Sequence, residues 1–167
     1  LGDMDKGQVL DRCVLELNTL GDPDSRQAYR DALVAYFSDH MDGLAEESVD
    51  RLTRNPLRIL DSKDVGDRSI VVDAPLMADY LTPAAREFFA AVCEGLDVLG
   101  IAYNLNQRLV RGLDYYTHTA FEFVTDALGS QRAVIAGGRY VGLIKMLGGP
   151  PTPGLVWAGA IAVSYPH

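Results

Sequence analysis

Six consecutive residues, Arg111-Gly112-Leu113-Asp114-Tyr115-Tyr116, set a permanent cation, a glycine, a carboxylate and two adjacent phenols side by side. Arginine stays charged at any working pH, and its planar fork donates two parallel hydrogen bonds to a phosphate or a carboxylate. Gly112 removes a side chain where a backbone must bend or approach a ligand. Asp114 can hold Arg111 or a ligand amine. Such a set suits a site that grips an anionic phosphate beside a small polar ring. It equally suits a strand start with an Arg–Asp surface pair and two half-buried tyrosines. In an extended segment Tyr115 and Tyr116 point to opposite faces, one phenol toward the sheet interior and the other toward a pocket.

Gly137-Gly138-Arg139-Tyr140 reads either as an anion-binding glycine turn at a helix start or as the end of a hairpin. The loop from Gly148 to Gly154 has neither a Gly-Lys-Ser/Thr sequence nor Rossmann spacing, which excludes a P-loop or dinucleotide reading. No Ser/His/Asp or Cys/His arrangement is readable. His40, His118 and His167 are scattered, Cys13 and Cys93 lack metal-ligand spacing, and no metal site is expected. The sparse cysteines point to a reducing cytoplasm.

The elements that must position these residues follow from period and caps. Alternation over Cys13 to Asn18 predicts a strand. Asp22-Pro23 starts a helix that carries Tyr29, Leu33, Tyr36 and Phe37 on one face and runs to about His40. A second helix spans about Glu46 to Arg54 and ends at Asn55-Pro56. Residues 57–82 are less periodic. Thr82-Pro83 opens a third helix whose Phe88, Val92, Leu96 and Leu99 read as core, stopped by Gly100. Ile101 to Leu105 and Thr119 to Val124 are strands. Asp126 to Ser130 is a loop, and Arg132 to Ala136 completes a hairpin. A short helix is expected from Gly137-Gly138 through Leu147, then a last strand from Leu155 to Val163. Hairpin connections outnumber helical crossovers, so the sheet is mainly antiparallel. The expected organisation is α+β, with core sheet at 9–21 and 101–167 and a helical insertion at 22–100.

The chain has 167 residues, 48% hydrophobic and 23% charged, as in ordinary globular proteins. Its apolar stretches are too short for a membrane span, and its first residues hold no signal-peptide core. The net charge of −8 argues against a generic nucleic-acid coat. Arg51, Arg54, Arg58 and Lys63 form a local basic patch, readable as a solvated helix face or as a candidate nucleic-acid contact.

Arg111 to Glu122 resembles the first histidine motif of histidyl-tRNA synthetases, a class II aminoacyl-tRNA synthetase family. Ala136-Gly137-Gly138-Arg139-Tyr140-Val141-Gly142-Leu143 resembles the second. Leu147-Gly148-Gly149 with Thr152-Pro153-Gly154, Leu15 to Gly21 and Asn55 to Lys63 extend the likeness over nearly the whole chain. The resemblance implies the class II antiparallel-sheet catalytic domain with a helical insertion subdomain. It implies activation of histidine by ATP, with Mg2+, and transfer to tRNA-His by a cytoplasmic homodimer. Arg111 then matches the α-phosphate contact, Tyr116 a phenol that bonds the imidazole, and Tyr140 another wall of the histidine pocket. Tyr115, Gly137 and Gly138 belong to the same pocket, with Asp114 and Glu122 as supports. Arg51, Arg54, Arg58 and Lys63 become candidate tRNA contacts.

The sequence also departs from the family. No room precedes Leu15 for the dimer-forming and ATP-binding motifs, and Leu155 to His167 lacks the Glu-Arg pair of the third class II motif. The anticodon-binding domain is missing, and Val141 stands where the family usually has aspartate. These departures lead one to expect a truncated fragment that holds half of a site, binds histidine weakly and makes no adenylate. Two other readings stand beside it: a non-catalytic paralogue such as the regulatory subunit of ATP phosphoribosyltransferase, and a tRNA-binding module.

Overall fold

The computed structural model describes residues 13–111, 115–125 and 133–159. Five strands, β1 (Val14–Thr19), β2 (Tyr103–Leu105), β3 (Tyr116–Val124), β4 (Ala133–Tyr140) and β5 (Gly154–Gly159), form one sheet in the order β2-β1-β3-β4-β5. Only the β1–β2 pair is parallel; the other three pairs are antiparallel. Four helices fall between β1 and β2: α1 (Pro23–Asp39), α2 (Glu46–Arg54), α3 (Val65–Val71) and α4 (Pro83–Val98); α5 (Gly142–Met146) follows β4. The fold is α+β.

Caps place the helices where the sequence puts them. The Asp22 carboxylate accepts from the Ser25 amide at 2.8 Å, and Thr82 Oγ1 accepts from the Ala85 amide at 3.1 Å. The Thr82 hydroxyl donates to Asp22, tying the starts of α1 and α4 together. Ser25, Tyr29, Leu33 and Phe37 recur every four residues on the buried stripe of α1. Tyr29, Leu33 and Phe37 pack with Leu52, Leu57, Ile59, Leu60, Val71 and Met77, each apolar side chain contributing about 1.5–3 kcal/mol by burial. This core lies beside the sheet rather than on it. Arg108 fastens the two, donating to the carbonyls of Val72 at 2.9 Å and Ala74 at 3.0 Å.

Several expectations change. Residues 57–82 hold α3, capped by Asp64 and unmarked by any apolar period. Strand β4 extends through Gly137-Gly138 to Tyr140, and the helix after it starts only at Gly142. The glycine pair is therefore neither an anion-binding turn nor a hairpin end. Both glycines sit in the ladder because a side chain has no room: a Cβ on Gly137 would lie 2.4 Å from the Val156 carbonyl oxygen. The aromatic face of α4 is not core. Ala85 is its only buried residue, while Phe88, Val92 and Leu96 wall an open cavity of about 670 Å³ and Leu99 is 72% exposed. The helix meets the sheet near its start, through Phe88 on His118, and again at β2, where Tyr103 faces Cys93 and Asp97; Val98 and Leu99 at its end are exposed. The loop at Asp126 to Ser130, Arg132, and the part of the last strand beyond Gly159 lie outside the described residues.

Candidate functional site

Antiparallel pairing sorts the sheet into two faces. Leu15, Leu17, Phe121 and Phe123 share the apolar face that meets α4. Glu16, Asn18, Ala120 and Glu122 share the other, with Ala136 and Gly138 continuing it on β4. Glu16 and Glu122 are direct cross-strand partners, a repulsive arrangement unless each carboxylate is matched. Asn106 Nδ2 donates to Glu16 at 2.6 Å, and Arg111 Nη1 donates to Glu122 at 2.8 Å.

Arg111 reaches this face because residues 106–111 run across it. The Asn106 amide donates to the Leu17 carbonyl at 2.9 Å. Asn18 Nδ2 donates to the Leu109 carbonyl at 2.9 Å, and Leu109 packs with Leu20, Ala120 and Tyr116. The Arg111 side chain is 15% exposed. Beyond Glu122 it donates to the Phe121 carbonyl at 2.7 Å, and at 3.4 Å to those of Gly137 and Val110. A planar fork held this way is aimed in advance. Its 3.4 Å contacts are weak enough for an incoming anion to replace.

The phenols gather at the other end of the same face. Tyr116 pairs with Tyr140 across β3 and β4. The Tyr115 and Tyr116 rings lie 4.8 Å apart and 30° from parallel, and Tyr115 meets Tyr140 edge-on at 6.1 Å. The two adjacent tyrosines thus do not point to opposite faces: Tyr115 sits in a turn before the strand begins. Gly138 makes the space, since a Cβ there would meet Tyr116 Cδ1 at 3.0 Å and the Thr119 carbonyl at 2.8 Å. Burial raises the Tyr116 hydroxyl above its ordinary value and Tyr115 adds to this, with Arg111 opposing. A neutral phenol both donates and accepts, which suits an imidazole.

The structure therefore brings together Arg111, Glu122, Gly137, Gly138, Tyr115, Tyr116 and Tyr140. Asp114, with Gly112 between it and Arg111, lies outside the described residues. The basic patch is separate and mixed with carboxylates. Arg51 pairs with Glu47 and lines a cavity of about 280 Å³ with Arg58, Asp61 and Val110. Lys63 lies in a neighbouring cavity among Asp61, Asp64 and Asp67, and Arg54 is exposed. Among the described residues no group of three or more His, Cys, Asp or Glu could hold a metal ion, and no helix is long and apolar enough to cross a membrane.

Sequence reasoning passed over four residues that hold the site: Asn18, Asn106, Arg26 and His118. The asparagines carried no signal beyond a buried polar position. Arg26 carried none either, because its target, the Tyr116 carbonyl, is not visible in the sequence.

No family model matches the chain. It is 59% identical over 150 residues to the histidine–tRNA ligase of Rhodospirillum rubrum and 57% identical over 151 residues to that of Gluconobacter oxydans. Each match covers 90% of this chain, which spans 36% of the length of either relative. The crystal structure of apo Staphylococcus aureus histidyl-tRNA synthetase superposes with a TM-score of 0.71 at 35% identity, over 91% of this chain and 37% of that one. The five-stranded mixed sheet with its helices is the architecture of a class II aminoacyl-tRNA synthetase catalytic domain. Within that class the chain belongs to the histidyl-tRNA synthetase family, as a partial sequence of it.

Proposed function

We propose that this chain carries the histidine half of a histidine–tRNA ligase site. The observation that supports this best is the convergence, on one sheet face, of a held guanidinium and three phenols around a glycine. In this reading Tyr116, supported by Tyr115 and Tyr140, bonds the substrate imidazole. A site built to bond a ring nitrogen rejects analogues that lack it, because its own buried polar group is left unpaired. Gly138 keeps the floor beside Tyr116 flat, and Gly137 contributes its carbonyl to Arg111. Arg111 stabilises the charge that develops on the α-phosphate when the histidine carboxylate attacks it, and needs no proton transfer to do so. Glu122 supports Arg111, and Asp114 is assigned the same role. ATP is the second substrate in this reading and brings Mg2+ with it.

The remaining assignments concern the whole ligase. We assign residues 9–21 and 101–167 to the core sheet and 22–100 to a helical insertion. Its Arg51, Arg54, Arg58 and Lys63 face tRNA-His in a cytoplasmic, homodimeric enzyme. Histidine titration into the purified chain tests the site. Saturable binding that weakens about tenfold in Tyr116→Phe is expected, the effect of one hydrogen bond lost from a buried polar pair. No saturable binding, or equal binding by the variant, would overturn the assignment. Histidine-dependent ATP–pyrophosphate exchange by this chain alone would contradict the division of the site into halves.

A further inference from the structure

We propose that Arg26 on α1 is the positioning residue for the Tyr116 phenol, holding the irregular start of β3 that aims the ring. This rests on the reading of Tyr116 as the imidazole partner. Pairing of β3 with β4 runs from Tyr116 opposite Tyr140 directly to Ala120 opposite Gly138. Three residues, Thr117, His118 and Thr119, thus stand against Arg139 alone. His118, in the middle, has a φ of 59°, in the left-handed region that side chains other than glycine rarely adopt.

A bulge of this kind loses ladder bonds and must find others. Here the others come from the corner between β1 and α1. The His118 amide donates to the Gly21 carbonyl at 2.8 Å, and the Leu20 amide donates to the His118 carbonyl. The Tyr116 carbonyl accepts from Arg26 Nη1. All three anchors lie within seven residues of chain, Leu20 to Arg26. That corner is itself fixed: the Arg26 amide donates to the Asp22 carbonyl at 2.9 Å, and the Asp22 side chain holds Ser25 and Thr82. Two of these anchors are backbone groups and Arg26 is a side chain; inside the bulge Arg139 Nη1 also donates, weakly, to Thr117 Oγ1 at 3.5 Å.

The geometry explains why the anchor matters for the ring. Tyr116 Cδ1 sits 3.0 Å from where a Gly138 Cβ would be, and the Tyr115 ring lies 4.8 Å from the Tyr116 ring. A strand start that shifts by one residue would turn the phenol to the opposite face. Arg26 prevents that shift from outside the pocket. Its bond is to the Tyr116 backbone carbonyl, so its effect is on where the phenol stands.

Tyrosine-ring-labelled NMR on the chain separates this from a general stabilising role. Tyr116→Phe assigns the Tyr116 signals. In Arg26→Met they are expected to shift and broaden, the contact between the Tyr115 and Tyr116 rings to vanish, and histidine affinity to fall about tenfold. Arg26→Lys, which keeps a donor, retains the ring contact. Arg108→Met is the control: it removes an arginine that also binds backbone carbonyls, lowers the melting temperature and leaves Tyr116 unmoved. If Arg26→Met does not fold, Arg26→Gln is read the same way. Unchanged Tyr116 signals and an intact ring contact in the folded variant would overturn the proposal. If the wild-type chain binds no histidine, the site assignment fails, yet the ligand-free ring signals still decide the role of Arg26.

Discussion

At the scale of single residues, the helical block surrounds its buried carboxylate with donors. Asp67 is wholly buried, yet its carboxylate accepts from the Ala45 amide at 2.8 Å and the hydroxyls of Ser48 and Ser62 at 2.6 and 2.5 Å. Burial pushes its pKa up, but the serine and amide bonds outweigh this and hold it below the ordinary 3.8. Asp67→Ala should therefore cost about 3 kcal/mol in urea unfolding, since three donors lose their acceptor. The sign of the pH effect follows from the direction of the shift. The unfolded chain takes up the proton at about 3.8, so the stabilisation is complete above that pH and is lost as pH falls through the lower folded value. His118 is also lowered, from 6.5, by burial and then by Arg139, against the pull of Asp22. Its contribution is complete above 6.5 and fades on acidification below it, giving a shallow limb before the carboxylate limb. Titrating the urea midpoint in the wild type and in His118→Asn checks this, with the shallow limb expected to disappear in the variant. Gly138→Ala should lower histidine affinity by displacing Tyr116; unchanged affinity would contradict the packing described for that ring. The grouping of Arg111 with the tyrosines was legible in their types and spacing. What the sequence hid was that Tyr115 and Tyr116 lie on the same side, because a turn and a bulge replace the extended geometry that adjacency implies.

Elements were legible where local rules decide them. Asp22-Pro23, Thr82-Pro83 and Asn55-Pro56 mark helix ends by capping and by steric exclusion, both of which act within a few residues. The start of β3 and the extent of β4 were misplaced because pairing across the sheet, not local preference, sets them. Helix α5 gives a direct test of capping. Val141 occupies its N-cap and forms no side-chain bond, leaving the amides of Leu143 and Ile144 without an intrahelical acceptor. Val141→Asp places a carboxylate there and should raise stability by about 1 kcal/mol, visible as a higher melting temperature. A lower one would show that the valine side chain supplies packing worth more than the cap.

At the scale of the whole molecule the apolar surface is unevenly spent. The helical block buries its stripe completely, with Leu33, Phe37 and Ile59 at 0% exposure, while the sheet face beneath α4 stays open. Leu155 and Trp157, on the edge strand of that face, are 70% and 66% exposed. An apolar reporter dye should therefore bind the folded chain, and Leu155→Lys should reduce the signal while leaving the unfolding midpoint nearly unchanged. A dye signal that appears only on unfolding would show this face to be closed in solution.

By itself the sequence determined the family resemblance, the α+β class and the helix starts, and it singled out the residue types of the proposed site. Each of these is local, set by side-chain chemistry, by caps or by short motifs. Only the tertiary structure decided that Arg111 and the three tyrosines share one sheet face, that the glycine pair lies in a strand, and that the α4 aromatics wall a cavity instead of filling a core. Those outcomes depend on cross-strand register and on the β1–α1 corner, where Leu20, Gly21 and Arg26 meet Tyr116 and His118 from about 90 residues away. Contacts at that separation leave no period in a sequence, because nothing in either segment alone specifies the other.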